Sequence, residues 1–127
     1  MRQSYLLAAA ATACFLMPSG AFVMRRATTI IAAARELEEE SGYRSDNLTK
    51  LVSVVTAVAF CNEVVDVYLA TDLVKTSQHL DEDEFIDVEK YTLDELKDMI
   101  FAGTIQDSKT ISADLAYDAL LNRKKNN

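Results

Sequence analysis

Glu36, Glu39 and Glu40 fall within five consecutive residues, directly after Arg35. On a helix, Glu36 and Glu40 project from one face with Glu39 beside them. Like charges this close repel one another at low salt. A divalent cation reverses that sign, because hard ions such as Mg²⁺ favour carboxylate oxygens. A second acidic run follows at Asp81-Glu82-Asp83-Glu84, with Asp87 three residues on. It does not make an EF-hand, since the glycine position falls on Ile86 and the bidentate glutamate position on Thr92. By spacing alone, the plainer reading of both clusters is solvated acidic surface.

The first cluster requires a helix to hold it. Thr28 or Thr29 is placed to cap one that runs to about Ser41, with Ile30, Ala33, Ala34 and Leu37 as its buried stripe. Gly42 ends it, because glycine enters the left-handed conformation without a Cβ clash. Arg44 to Asn47 reads as a polar turn. Leu51 to Phe60, rich in valine, reads as a buried strand, and Glu63 to Ala70 as a second, joined by a turn at Cys61-Asn62. An antiparallel hairpin is the economical connection.

Asp72 to Asp83 has no periodicity and reads as a loop, followed by a short strand at Phe85 to Val88. Thr92-Leu93-Asp94-Glu95 is a capping box. It opens a helix with Leu93, Leu96, Met99 and Ile100 toward the core, ended by Gly103. A last helix is expected from Ser108 to Asn122, capped by Asp107, with Ile111, Leu115, Ala119 and Leu120 along one face. Lys124 to Asn127 is expected to fray. Tyr43, Tyr68 and Tyr117 read as packing residues, Cys61 as an inert core thiol and His79 as a loop residue.

Composition sets outer bounds. With 127 residues the chain is one domain at most, and 50% hydrophobic content is enough for one core. The net charge of −7 argues against binding nucleic acid through its phosphates. The two cysteines, Cys14 and Cys61, have no metal-ligand spacing and form no disulfide framework, which favours a reduced, cytoplasmic compartment. One histidine cannot build a multi-histidine metal site.

Charge is unevenly placed. Residues 1 to 35 carry four arginines and no acid, leaving a net of −11 for the remainder. The apolar run Tyr5 to Met17 and the following Pro18-Ser19-Gly20-Ala21 admit several readings. A signal peptide, and with it a secreted protein, is one. A transmembrane segment is a poor fit, because the run falls short of the roughly 20 residues needed. A third is a substitute for strands, although alanine is a weak strand former. The favoured one is an upstream segment read in a different frame or from a wrong start. Residues 1–27 are therefore set apart as an atypical segment, and 28–127 as the domain proper.

Arg35-Glu36-Leu37-Glu38-Glu39-Glu40-Ser41-Gly42-Tyr43 fills every specified position of R-E-U-x-E-E-x-G-U, where U is apolar or aromatic. It thereby resembles the second half of the signature of the Nudix hydrolases, which cleave nucleoside diphosphates linked to another group. The first half, G-x5-E-x7, is not matched: Ala27 stands at the glutamate position and Ala21 at the glycine position, with Gly20 one residue out of register. Glu63 to Leu73, Leu80 to Ile86 and Gly103 to Thr110 are similar to the ADP-ribose pyrophosphatase branch. The implied fold is α/β, an α/β/α sandwich on a mixed sheet with incomplete N-terminal strands.

The resemblance also implies roles. Glu36 and Glu40 would be Mg²⁺ ligands, with Mn²⁺ as the alternative ion, and Glu39 would lie close in or act through water. Arg35 would orient these carboxylates by charge-assisted hydrogen bonds. Glu82 would be the general base and Glu84 a helper or outer ligand. A backbone carbonyl near Ser19 or Gly20 would complete the metal shell, and Glu63 would lie in a substrate-side loop. The implied reaction converts ADP-ribose to AMP and ribose 5-phosphate, usually in a homodimer. The rival readings are a catalytically impaired remnant or a non-catalytic binding domain.

Overall fold

A computed structural model describes the backbone of residues 6–8, 15–16 and 22–24, and the whole of residues 30–55, 57–60, 62–82 and 88–127. In chain order the elements begin with β1 (Leu6–Ala8), β2 (Phe15–Leu16), β3 (Phe22–Met24) and α1 (Ile30–Ser41). Then come β4 (Tyr43–Arg44), β5 (Asn47–Val55), β6 (Val64–Thr71), β7 (Val74–Lys75) and β8 (Glu89–Tyr91). Two helices, α2 (Leu93–Phe101) and α3 (Ser108–Lys125), complete the order.

The central sheet has the order β2-β3-β6-β5, and every pairing within it is antiparallel. Two small antiparallel pairs, β1 with β8 and β4 with β7, flank it. β6 is the organising strand. Val67 packs with Leu96 of α2 and with Ala113 and Tyr117 of α3. Its neighbours Tyr68 and Ala70, which point the other way, pack with Ala33 and Leu37 of α1. The strand is thus covered on both faces, with α1 on one side and α2 and α3 on the other. This is an α/β arrangement with helices on either side of a sheet, as expected, but among the described residues every pairing is antiparallel where a mixed sheet was expected.

The hairpin forms from β5 and β6, but four residues earlier on its first arm than periodicity predicts. Asn47, Leu48, Thr49 and Lys50 enter the ladder opposite Thr71, Ala70, Leu69 and Tyr68. These polar residues lack strand propensity, yet backbone pairing with β6 places them there, and β5 lies at the sheet edge where polar side chains meet solvent. A register shift between Lys50 and Val52 lets the adjacent Leu51 and Val52 both pack toward α2 and α3. At the far end Ala57 to Phe60 form a turn rather than strand, closed by Phe60 N–H donating to the Ala57 carbonyl at 3.0 Å.

The Thr92 capping box forms as read. The Thr92 hydroxyl accepts from the Glu95 N–H at 3.2 Å, and the Glu95 carboxylate accepts from the Thr92 N–H at 2.6 Å. That bonding holds the Glu95 carboxyl below its ordinary value. Gly103 follows α2 with φ +78°. Asp107 caps α3, accepting from the Thr110 N–H at 3.0 Å and from the Thr110 hydroxyl at 2.9 Å.

The buried face of α3 differs from expectation. Thr110, Ala113, Asp114 and Tyr117 are buried, whereas Leu115 and Ala119 are exposed. Apolar residues are scattered around this helix, so periodicity selects no face. Packing of Ala113 and Tyr117 against Val67 and Leu96 chooses the rotation, and the Lys97–Asp118 ion pair at 3.0 Å follows from it. Asp114 is 0% exposed with neither carboxylate oxygen hydrogen-bonded, and burial pushes its carboxyl up to about 7. The helix also continues to Lys125 instead of fraying at Lys124. The strand expected at Phe85 to Val88 falls largely on residues outside those described, and Val88 itself carries no strand structure.

Candidate active site

The acidic helix is anchored from its apolar side. Ala33 and Leu37 are completely buried against Tyr68 and Ala70. This fixes the rotation of α1, on which Glu36, Glu39 and Glu40 are half-buried and Arg35 is exposed. Glu36 and Glu40 each make a further interaction.

The charges of α1 run against its dipole. Acids stabilise a helix in its first turn and bases in its last. α2 follows this rule with Asp94 and Glu95 at its start, and α3 follows it with Arg123, Lys124 and Lys125 at its end. α1 has no acid in its first turn and no base in its last, and its four glutamates crowd the C-terminal half. A local rule broken without a gain in stability is characteristic of a functional site. A bound cation offsets both the dipole and the mutual repulsion.

The end of α1 is built into the loop that follows β7. Helix C-termini leave four carbonyls without intrahelical partners. Here Glu38 O accepts from the Gly42 N–H at 2.9 Å, Glu39 O from the His79 N–H at 2.8 Å, and Glu40 O from the Gln78 side-chain amide at 2.7 Å. Gly42 O in turn accepts from the Thr76 N–H at 2.7 Å. The Ser41 hydroxyl donates to the Leu37 carbonyl. Gly42 has φ +71°, which favours glycine, and a Cβ there would crowd the Gln78 nitrogen at 3.1 Å.

This loop carries the second acidic cluster. Leu80 and Val88, which bracket it, both pack against the core cluster of Ala33, Leu37, Tyr68 and Ala70. Lys90 of β8 stands 5.8 Å from the centroid of the Tyr43 ring, just past the end of α1. Asp81 and Glu82 are exposed, Glu82 in a turn. Glu84 and Gly20 lie outside the described residues. Glu63 is exposed, immediately before β6, away from the lashed end of the loop in sequence and in the sheet.

Among the described residues no group of three or more His, Cys, Asp or Glu side chains converges as a ready-made metal cage. The donors nonetheless fit a hard ion. Mg²⁺ keeps several waters and is held by one or two carboxylates together with substrate phosphates, so it needs no all-protein cage. Three glutamate side chains within about one turn of one helix supply that chemistry. The loop contacts of Gln78, His79 and Thr76 were not visible as a motif, because backbone carbonyls accept from any donor that chain path delivers.

Comparisons with known proteins identify what the chain is similar to. A family model described as NUDIX domain matches residues 7–113. The chain is 42% identical over 85 residues to the methanol dehydrogenase activator of Bacillus methanolicus, covering 65% of this chain and 46% of that protein. It is 40% identical over 83 residues to the ADP-ribose pyrophosphatase of Bacillus subtilis (strain 168), covering 64% of this chain and 45% of that protein. The chain therefore spans less than half the length of either relative.

Proposed function

The chain belongs to the NUDIX domain family, and on that premise we propose that it hydrolyses a nucleoside diphosphate sugar with Mg²⁺, or Mn²⁺ in its place. ADP-ribose is the foremost substrate, giving AMP and ribose 5-phosphate. The observation that carries this reading is the set of glutamates crowded at the negative end of α1, tied there to a loop bearing Glu82. Likeness to the Bacillus subtilis ADP-ribose pyrophosphatase supports the choice of substrate.

Glu36 and Glu40 would hold the ion, with Glu39 close in or acting through water. When bound, it supplies charge neutralisation for the phosphate oxygens. Arg35 orients the carboxylates beside it. Glu82 accepts the proton of the attacking water, as Glu84 assists. The water oxygen bonds to one phosphorus of the diphosphate as that phosphorus loses its bond to the bridging oxygen, and the bridging oxygen departs on the other phosphate ester, so that AMP and ribose 5-phosphate are the two products. Gly20 and Glu63 belong to the substrate side of the same reading.

A homodimer and a cytoplasmic location complete it. The exposed apolar tip of the β5–β6 hairpin, formed by Val55, Val58, Phe60 and Val64, supports self-association. No helix among the described residues is long and apolar enough to cross a membrane. The deciding experiment is AMP release from ADP-ribose by chromatography, with Mg²⁺ and after chelation. Turnover is expected to require the ion and to fall about 10²–10⁴-fold in Glu82→Gln, the usual contribution of a general base. Folded protein that releases no AMP with either ion sinks the proposal in favour of a non-catalytic binding domain.

A further inference from the structure

We propose that Gln78 is a positioning residue, whose side chain lashes the loop of residues 76–82 to the last turn of α1 and so sets where Glu82 stands relative to Glu36, Glu39 and Glu40. The inference rests on the hydrolase reading and adds to it the device that holds its two acidic clusters in register. Among the described residues, two hydrogen bonds across the joint use backbone N–H groups, those of Thr76 and His79. A third, from the Gln78 amide to the Glu40 carbonyl at 2.7 Å, is made by a side chain. It grips the carbonyl of a residue whose own carboxylate belongs to the proposed ion site.

Geometry leaves Gln78 little alternative. The loop passes so close to Gly42 that a single added carbon would lie 3.1 Å from the Gln78 nitrogen, which fixes the backbone beside the helix end. Three residues separate Gln78 from Glu82 in sequence, and Leu80 among them is packed against the core cluster around Ala33 and Leu37. The Gln78 bond is therefore one of the ties, with the packing of Leu80, that hold this short segment and Glu82 beside the helix end. Misplacing a reacting group by about 1 Å can cost 10²-fold in rate. Gln78 itself is exposed, so its replacement leaves the core untouched.

The test compares wild type with Gln78→Ala and Gln78→Glu, neither of which retains the donor. In metal-free protein, amide exchange at His79 and Thr76 is expected to quicken at least about tenfold in both variants, with Val67 unchanged. With Mn²⁺ as the probe, paramagnetic broadening of the Asp81 and Glu82 amides is expected to weaken in the variants while that of the α1 amides persists. kcat for ADP-ribose is expected to fall about 10–100-fold, with KM and the Mg²⁺ midpoint within twofold of wild type. Unchanged exchange, equal broadening of Asp81 and Glu82, or unchanged kcat each overturns the positioning role. Failure of the hydrolase reading looks different: wild type then shows no turnover, or Mn²⁺ broadens nothing on α1 in any variant, and the proposal falls with it.

Discussion

Gly42 and Gln78 approach so closely that a Cβ on residue 42 would lie 3.1 Å from the Gln78 backbone nitrogen. That contact joins the end of the acidic helix to the loop carrying the second acidic cluster, 36 residues further along the chain. Gly42→Ala is expected to destabilise the fold by about 1–2 kcal/mol, from the left-handed backbone alone. Urea unfolding measures this. A variant as stable as wild type would show that residue 42 does not hold the left-handed conformation described.

Glu39→Gln should separate stability from function. Removing one negative charge from the C-terminal half of α1 is expected to raise the stability of metal-free protein by about 0.3–1 kcal/mol. The same change is expected to raise the Mg²⁺ midpoint about 10–100-fold, the range seen when a ligand shell is disturbed. Thermal unfolding in chelator and calorimetric titration report the two halves. A variant both less stable and unaltered in ion uptake contradicts the reading of this turn.

Asp114 predicts a pH dependence of stability. Its folded carboxyl keeps a proton up to about pH 7, while the unfolded one releases it near the ordinary value of 3.8. Between these limits the native state binds more protons, so this group lowers stability as pH rises, by roughly 1.4 kcal/mol per pH unit. Asp66, Asp94 and Glu95, held low by their partners, act in the opposite direction, but only toward acid pH. Asp114→Asn is therefore expected to gain on wild type steadily from pH 5 to 7 and then hold that gain. Parallel stability curves for the two proteins would show that the carboxyl is not buried and unpaired.

The cap on α3 gives a simpler expectation. Asp107→Ala removes the acceptor for the Thr110 N–H and hydroxyl, and the ion pair with Lys109 at 2.6 Å. A loss of about 1 kcal/mol is expected, within the usual range for helix caps. Asp107→Asn should recover most of it. Equal destabilisation by Asn and Ala would assign the effect to charge rather than to capping.

Much of the acidic site was legible as sequence. Glu36, Glu39 and Glu40 share one side of a helix because spacing alone places them there, and Gly42 stops the helix because no other residue enters its conformation so readily. The capping box at Thr92 and the cap at Asp107 were readable for the same reason: each is closed by groups three residues apart. The extent of β5 was not readable, since Asn47 to Lys50 become strand only by bonding to β6.

Sequence by itself therefore determined the local pieces: the acidic turn, its glycine stop, the caps, and the valine-rich arms of a hairpin. These depend on groups within one helical turn or on alternation along one strand. Tertiary structure alone decided that β6 is buried on both faces, that α3 turns Asp114 inward and Leu115 outward, and that Gln78 grips Glu40. Each of these depends on what a distant segment brings alongside, and neither periodicity nor propensity records the partner across such a gap. A helix with apolar residues on every side chooses its face only when something packs against it.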